Sequence, residues 1–170
     1  MVVYMSSLGA YPPRTHAFVQ GDSSVFLYEI GHDCFGPLSY HLMINMQCTP
    51  DGNEFMFGLA TVDGDKGSID NTFDSIVANS IIPKIHRTLV TKLLLEKAGS
   101  VIRYMNKDSF FMVTYLSNLP QKALIKYGKL TEVFINDGYD VAYSQPKPGK
   151  HMWQMNRLPT VPIDVVSLDG

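Results

Sequence analysis

Cysteine is scarce in this chain. The two present among 170 residues, Cys34 and Cys48, form no Cys-x-x-Cys pair and stand beside no histidine at zinc-ligand spacing. A disulfide framework and a cysteine-based zinc site are therefore poor readings, and both thiols are expected to be buried as small apolar groups. Long apolar runs are missing too. Leu93 to Leu95 and Ile81 to Ile82 are interrupted by Pro, Lys or His, far short of the roughly 20 residues that a membrane-spanning helix needs. The first residues lack a basic start and a continuous apolar stretch, because Ser6, Ser7, Gly9, Pro12 and Pro13 intervene. A signal peptide is not indicated, and the expectation is a cytoplasmic protein with no membrane contact.

Phosphate-cradling signatures are absent as well: no Gly-x-Gly-x-x-Gly, no Gly-x-x-x-x-Gly-Lys-Ser/Thr and no Gly-x-Ser-x-Gly. The common nucleotide-hydrolysing, dinucleotide-dependent and serine-elbow enzymes are disfavoured, and no cofactor is expected. No two of the five histidines lie at the i, i+4 spacing of a helical metal pair.

What the chain does have is apolar mass. Hydrophobic residues make up 45% and aromatics 11%, enough to offset the ordering entropy of one domain over residues 1–170. Residues 1–21 mix Gly, Pro and Ser without periodicity and read as an irregular arm, with a short strand at Val2 to Met5. Ser24 to Ile30 gathers β-formers. Leu38, Tyr40, Leu42, Ile44, Met46 and Cys48 then alternate with Ser39, His41, Met43, Asn45 and Gln47, the period of a half-buried strand. A Thr49-Pro50-Asp51-Gly52-Asn53 turn returns it as a hairpin over 38–62.

After the polar loop Asp63 to Ser68, the residues Phe73, Val77, Ile81, Ile85, Leu89 and Leu93 recur every fourth position. They predict the buried face of a helix over about 71–98, capped by Asp70 or Thr72, kinked or split at Pro83 and closed by Gly99. Val101 to Met105 and Ser109 to Leu116 read as a hairpin, 100–116, whose second strand is apolar on both faces and so central. A second helix over 119–137 has Asn118 as cap, Pro120 in its first turn and Leu124, Tyr127, Leu130, Val133 and Phe134 as its buried stripe. Tyr139 to Arg157 forms the last hairpin, 139–157, around Pro146 to Lys150. Residues 158–170 read as an extended tail. The expected class is α+β: a mainly antiparallel sheet of about six to seven strands with two helices on one face.

Three constellations carry chemistry. Asp63, Asp65, Asp70 and Asp74 could offer carboxylates to a hard cation, although their spacing departs from the EF-hand pattern, and loop solvation is the competing reading. Lys122, Lys126, Lys129, Lys147, Lys150 and Arg157, with Trp153 as a stacking platform, could track a nucleic acid or another anion. Against this, the three helix lysines suit a solvated face, tryptophan is more often core, and the pI is near 6.2. His41 and Ser39 share a strand face, but two-residue spacing sets them roughly 7 Å apart, and an exposed polar sheet face is the simpler reading. His32-Asp33-Cys34 are sequence neighbours that an extended chain points apart.

Charge is divided along the chain. Residues 1–80 hold two basic against nine acidic side chains, and residues 81–170 hold twelve against seven, so net charges of −7 and +5 underlie the overall −2. An acidic face beside a basic face favours self-association. With no catalytic constellation in sight, the leading reading is a non-enzymatic protein-interaction module that associates with itself or another protein. Nucleic-acid binding by the basic half is the alternative, and an enzyme using a metal or a His/Asp pair assembled by folding is the third.

Overall fold

The computed structural model describes residues 3–4, 14–115 and 121–160, with side chains left aside at 3, 4, 75, 76, 121 and 122. Its elements are β1 (Val3–Tyr4), β2 (Thr15–Gln20), β3 (Ser23–Asp33), β4 (Leu38–Thr49), β5 (Gly52–Asp63), β6 (Ser68–Thr72), α1 (Ser75–Ile81), a single 3-10 turn (Lys84–His86), α2 (Arg87–Met105), β7 (Ser109–Tyr115), α3 (Gln121–Asn136), β8 (Tyr139–Lys147) and β9 (Lys150–Arg157). The class is α+β. The nine strands form one sheet in the order β1-β3-β4-β5-β7-β9-β8, with β2 also paired to β3 and β6 to β5.

The hairpin at 38–62 forms in the register its alternation dictates, from Leu38↔Asp63 to Thr49↔Gly52. Gly52 takes the positive φ, 128°, that the turn requires. Every pairing is antiparallel except one: β5 meets β7 in parallel at Glu54↔Phe111. That join obliges the chain to cross over between the two strands, and α2 is the long helix in the crossover. As its apolar run implies, β7 is internal, flanked by β5 and β9.

Alternation along β3, β4 and β5 sends Phe26, Tyr28, Ile30, Tyr40, Leu42, Ile44, Phe55 and Leu59 into one core with Leu93, Leu94, Ala98, Val101 and Ile102 of α2 and Leu130 and Phe134 of α3. Phe134 is fully buried and packs edge-on against Phe55 and Tyr139 and tilted against Phe110. The reverse face carries a smaller apolar patch of Val25, Leu27, Met43 and Ala60.

Several expectations are corrected. No hairpin forms over 100–116, because Val101 to Met105 complete α2. The β-propensity of Val101 and Ile102 gives way to periodicity: Leu94, Ala98, Val101 and Ile102 continue one helical stripe and are all nearly inaccessible. Gly99 does not close the helix. A Cβ there would meet Val133 Cγ1 at 3.4 Å, so the glycine serves close packing of α2 on α3, and Asn106 in the left-handed conformation (φ 46°) ends the helix. Asp70 and Thr72 are not caps but members of β6, paired with Thr61 and Leu59. Pro83 does split the helix, separating α1 from the 3-10 turn. The arm is less irregular than expected: Thr15–Gln20 pairs with β3 in full register, while the short strand expected at Val2 to Met5 is present as Val3–Tyr4, paired with the far end of β3. Asn118, Pro120 and residues 161–170 lie outside the described residues. Among the described residues no helix is long and apolar enough to cross a membrane.

Phe134→Ala should cost about 3–5 kcal/mol, because it empties the aromatic cluster joining α3 to the sheet. Urea unfolding followed by circular dichroism checks this, and a loss below about 1 kcal/mol would show that α3 is not cooperative with the sheet.

Candidate binding surface

The three sequence-level constellations meet different fates. Asp63 is turned inward, where its Oδ1 accepts the backbone N–H groups of Asp65 and Lys66 at 3.0 and 3.1 Å. The Lys66 amide foremost, with the Asp65 amide and the Lys66 ammonium, holds its carboxyl below the usual range against the opposing effect of burial. It organises its own loop. Asp65, Asp70 and Asp74 stay exposed, and among the described residues no group of three or more His, Cys, Asp or Glu converges as a metal set.

The basic set is scattered. Trp153 is buried and stacked on Tyr127, with ring centroids 4.4 Å apart and an interplanar angle of 8°. Arg157 donates to Asn106 Oδ1, the Lys107 carbonyl and Tyr139 Oη, closing the end of the β8–β9 hairpin. Lys150 lies over the Tyr115 ring at 5.7 Å. Lys129 and Lys147 are exposed. Lys122 has no described side chain. Lys126 lines a concave site.

His41 overturns two expectations. It is 3% exposed, on the reverse face of the sheet, and Ser39 Oγ lies 2.9 Å from its Nε2. The two-residue rise is bridged because side chains lean along the strand. Its Nδ1 has no hydrogen-bond partner among the described residues, and the His16 ring packs edge-on at 6.1 Å. Burial foremost pushes the imidazole below its ordinary value; Glu29 opposes this and His16 adds to it. At the other end of the sheet, His151 Nδ1 shares a 2.8 Å hydrogen bond with Tyr143 Oη, while its Nε2 is buried without a partner. Both cysteines are exposed free thiols, not buried ones. Cys34 sits in the loop after β3, and Cys48 lies at the hairpin end of β4.

The surface that spacing alone did not reveal lies at α1 and α2. The stripe Phe73, Val77, Ile85 and Leu89, expected to be buried, is 55%, 43%, 80% and 41% exposed. The break at Pro83 gives the reason. One continuous helix would keep a four-residue stripe near one face, whereas the split lets Ile82, Leu93 and Leu94 carry the burial.

Beside the stripe is a pocket of about 150 Å3. It opens where the sheet has a fault. β6 pairs β5 over Leu59 to Asp63 and β7 meets it at Glu54, leaving the β5 edge between them without a ladder partner among the described residues. Phe57 and Leu59 of β5, Ile82 after α1, and Val90 and Leu94 of α2 make apolar walls, and Lys126 of α3 brings the charge. Gly58 is required here, because a Cβ would fall 2.5 Å from the Thr72 carbonyl oxygen. Lys126 Nζ stands 4.8 Å over the Phe57 ring, and burial lowers its pKa. It has no carboxylate partner among the described residues. Arg87, also at the pocket, gives its Nε to the Ile82 carbonyl and its Nη2 to the Asn79 carbonyl. Both acceptors are neutral, and Arg87 has no carboxylate partner among the described residues.

No protein-family model, curated protein or solved structure matches the chain.

Because the folded state resists protonating His41, the unfolded chain takes up the extra proton as pH falls below the ordinary histidine value of 6.5. This contribution to stability is complete above that value and declines below it. Wild type should lose more stability than His41→Gln between about pH 7.5 and pH 5.5 in urea unfolding. Equal losses would show that the imidazole is not held neutral.

Proposed function

We propose that this chain is a non-enzymatic protein-interaction module that associates with a second copy of itself through the surface of α1, the 3-10 turn and the start of α2. The observation that carries this reading is the exposure of Phe73, Val77, Ile85 and Leu89, apolar side chains at four-residue multiples in the sequence that the fold leaves outside its core. Scattered exposed apolar residues are ordinary on a protein surface, but a clustered set along one short segment favours a partner.

Charge supports a second copy as that partner. Asp70 and Asp74 flank Phe73 at the start of the stripe, and Lys84 and Lys92 flank Ile85 and Leu89 in its second half, all four charged residues exposed. In a two-fold arrangement with stripes antiparallel, the acidic end of one copy faces the basic end of the other, the self-complementarity that an isologous interface requires. The opposed net charges of the two halves of the chain work in the same direction.

Light scattering behind size exclusion at about 100 μM should give a dimer that persists in high salt. The double variant Ile85→Asp with Leu89→Asp should be monomeric with an unchanged circular dichroism spectrum. A monomeric wild type, or a dimer unaffected by the double variant, would overturn this reading.

A further inference from the structure

We propose that the pocket between β5, α2 and α3 binds a small monoanion with an apolar body, a carboxylate of benzoate or short fatty-acid size, with its apolar part among Leu59, Val90 and Leu94 and its charge on Lys126. This site lies beyond the self-association reading and does not depend on it.

Three observations converge. The first is size. At about 150 Å3, the pocket matches apolar cavities of roughly 150 Å3 that accept a benzene-sized guest. It is too small for a nucleotide or a sugar chain. The second is an unbalanced cation. Lys126 directs its ammonium against the face of Phe57 instead of toward a carboxylate, and Arg87 is held by carbonyl groups alone. Two positive charges beside apolar walls, with no acidic residue in the lining, attract an anion and repel a cation. The third is rigidity. The floor is the unpaired stretch of β5, and Gly58 lets Thr72 and Phe73 close against it, so the cavity is built into the topology and is not left to a loop.

Burial lowers the Lys126 pKa in the empty pocket, and a carboxylate beside the ammonium would oppose that effect. Thr72 in the lining, whose Oγ1 accepts the Asp74 N–H, keeps its own hydroxyl hydrogen for a remaining carboxylate lone pair, whereas Thr91 already donates to the Arg87 carbonyl. The expected preference is therefore for an anion over the neutral molecule of the same shape, and for one charge over two, because a second carboxylate would enter apolar surroundings unpaired.

The test is titration of the full chain with benzoate and hexanoate against benzyl alcohol and hexanol, read by methyl NMR shifts of Leu59, Val90 and Leu94. The carboxylates should saturate these shifts at least about tenfold more tightly than the alcohols. Lys126→Met, which keeps the aliphatic stem on Phe57, should remove that preference while alcohol binding persists. Val90→Trp, which fills the pocket, should abolish both, and an unchanged amide spectrum away from the site confirms each variant's fold. Absence of saturable carboxylate shifts in wild type, equal affinity for alcohols, or an undiminished preference in Lys126→Met would overturn the assignment. Carrying out the titration on the Ile85→Asp, Leu89→Asp variant as well separates the two readings: binding should be retained there whether or not wild type is a dimer.

Discussion

The parallel join of β5 to β7 is the constraint on which the rest of the structure depends. Two adjacent parallel strands cannot be linked by a tight turn, so the chain must leave the sheet, cross one face and return. β6, α1, the 3-10 turn and α2 are that excursion. Because α2 lies over the face on which Tyr40, Leu42, Ile44, Phe55 and Leu59 project, the crossover is also the lid of the core. α3 then packs beside α2, and the β8–β9 hairpin adds to the sheet through β7. The same join creates the pocket: an antiparallel partner takes one stretch of the β5 edge, a parallel partner takes another, and the stretch between them faces helices.

Much of this was legible in the sequence wherever periodicity and turn chemistry agreed. The β4–β5 hairpin was readable because strict alternation ran into a Pro-Asp-Gly turn, and β8–β9 was readable for a similar reason. α3 could be placed from its stripe and the Asp137-Gly138 stop, where Gly138 takes φ 87°. At the end of α2, Val101, Ile102 and Tyr104 favour strands by local preference, while what decides the helix is the burial of Val101 and Ile102 against α3 and the sheet, which lie far away in sequence. β2 was missed because its six residues are exposed throughout; pairing with β3 through the backbone gives no apolar alternation to read.

The candidate site was harder to foresee, for a related reason. Four-residue spacing from Phe73 to Leu93 predicts one buried face only if one helix runs through it. Pro83 was visible, yet the direction in which α1 and α2 diverge is set by the sheet edge on which α1 rests, and no local pattern encodes that. Lys126 was read as one of three solvated helix lysines, together with Lys122 and Lys129. A helix turn distinguishes these positions: Lys126 adjoins Tyr127 and lies one turn before Leu130, so it is close enough to the buried stripe to snorkel against Phe57. Trp153, conversely, looked like a free stacking platform until Tyr127 was found already stacked on it.

Buried polar atoms are handled in more than one way. Tyr139 Oη, at the open end of the β8–β9 hairpin, donates to the Lys107 carbonyl at 2.6 Å and accepts from Arg157, whereas His151 Nε2 in the same hairpin is buried without a partner among the described residues. On the reverse face, His41 Nδ1 and Asn45 Oδ1 are buried without partners, and each such group costs about 1–3 kcal/mol relative to a satisfied one. A neutral histidine lowers that cost compared with a charged one, which is why burial drives its pKa down instead of recruiting a counter-ion. Burial acts on Lys126 in the same direction. Its ammonium has the pocket mouth and an aromatic face to moderate its desolvation, and no carboxylate partner among the described residues. The enclosed imidazole is relieved only by giving up its proton; an ammonium at an open pocket is relieved as well by an anion that enters, and thereby favours the sign of its guest.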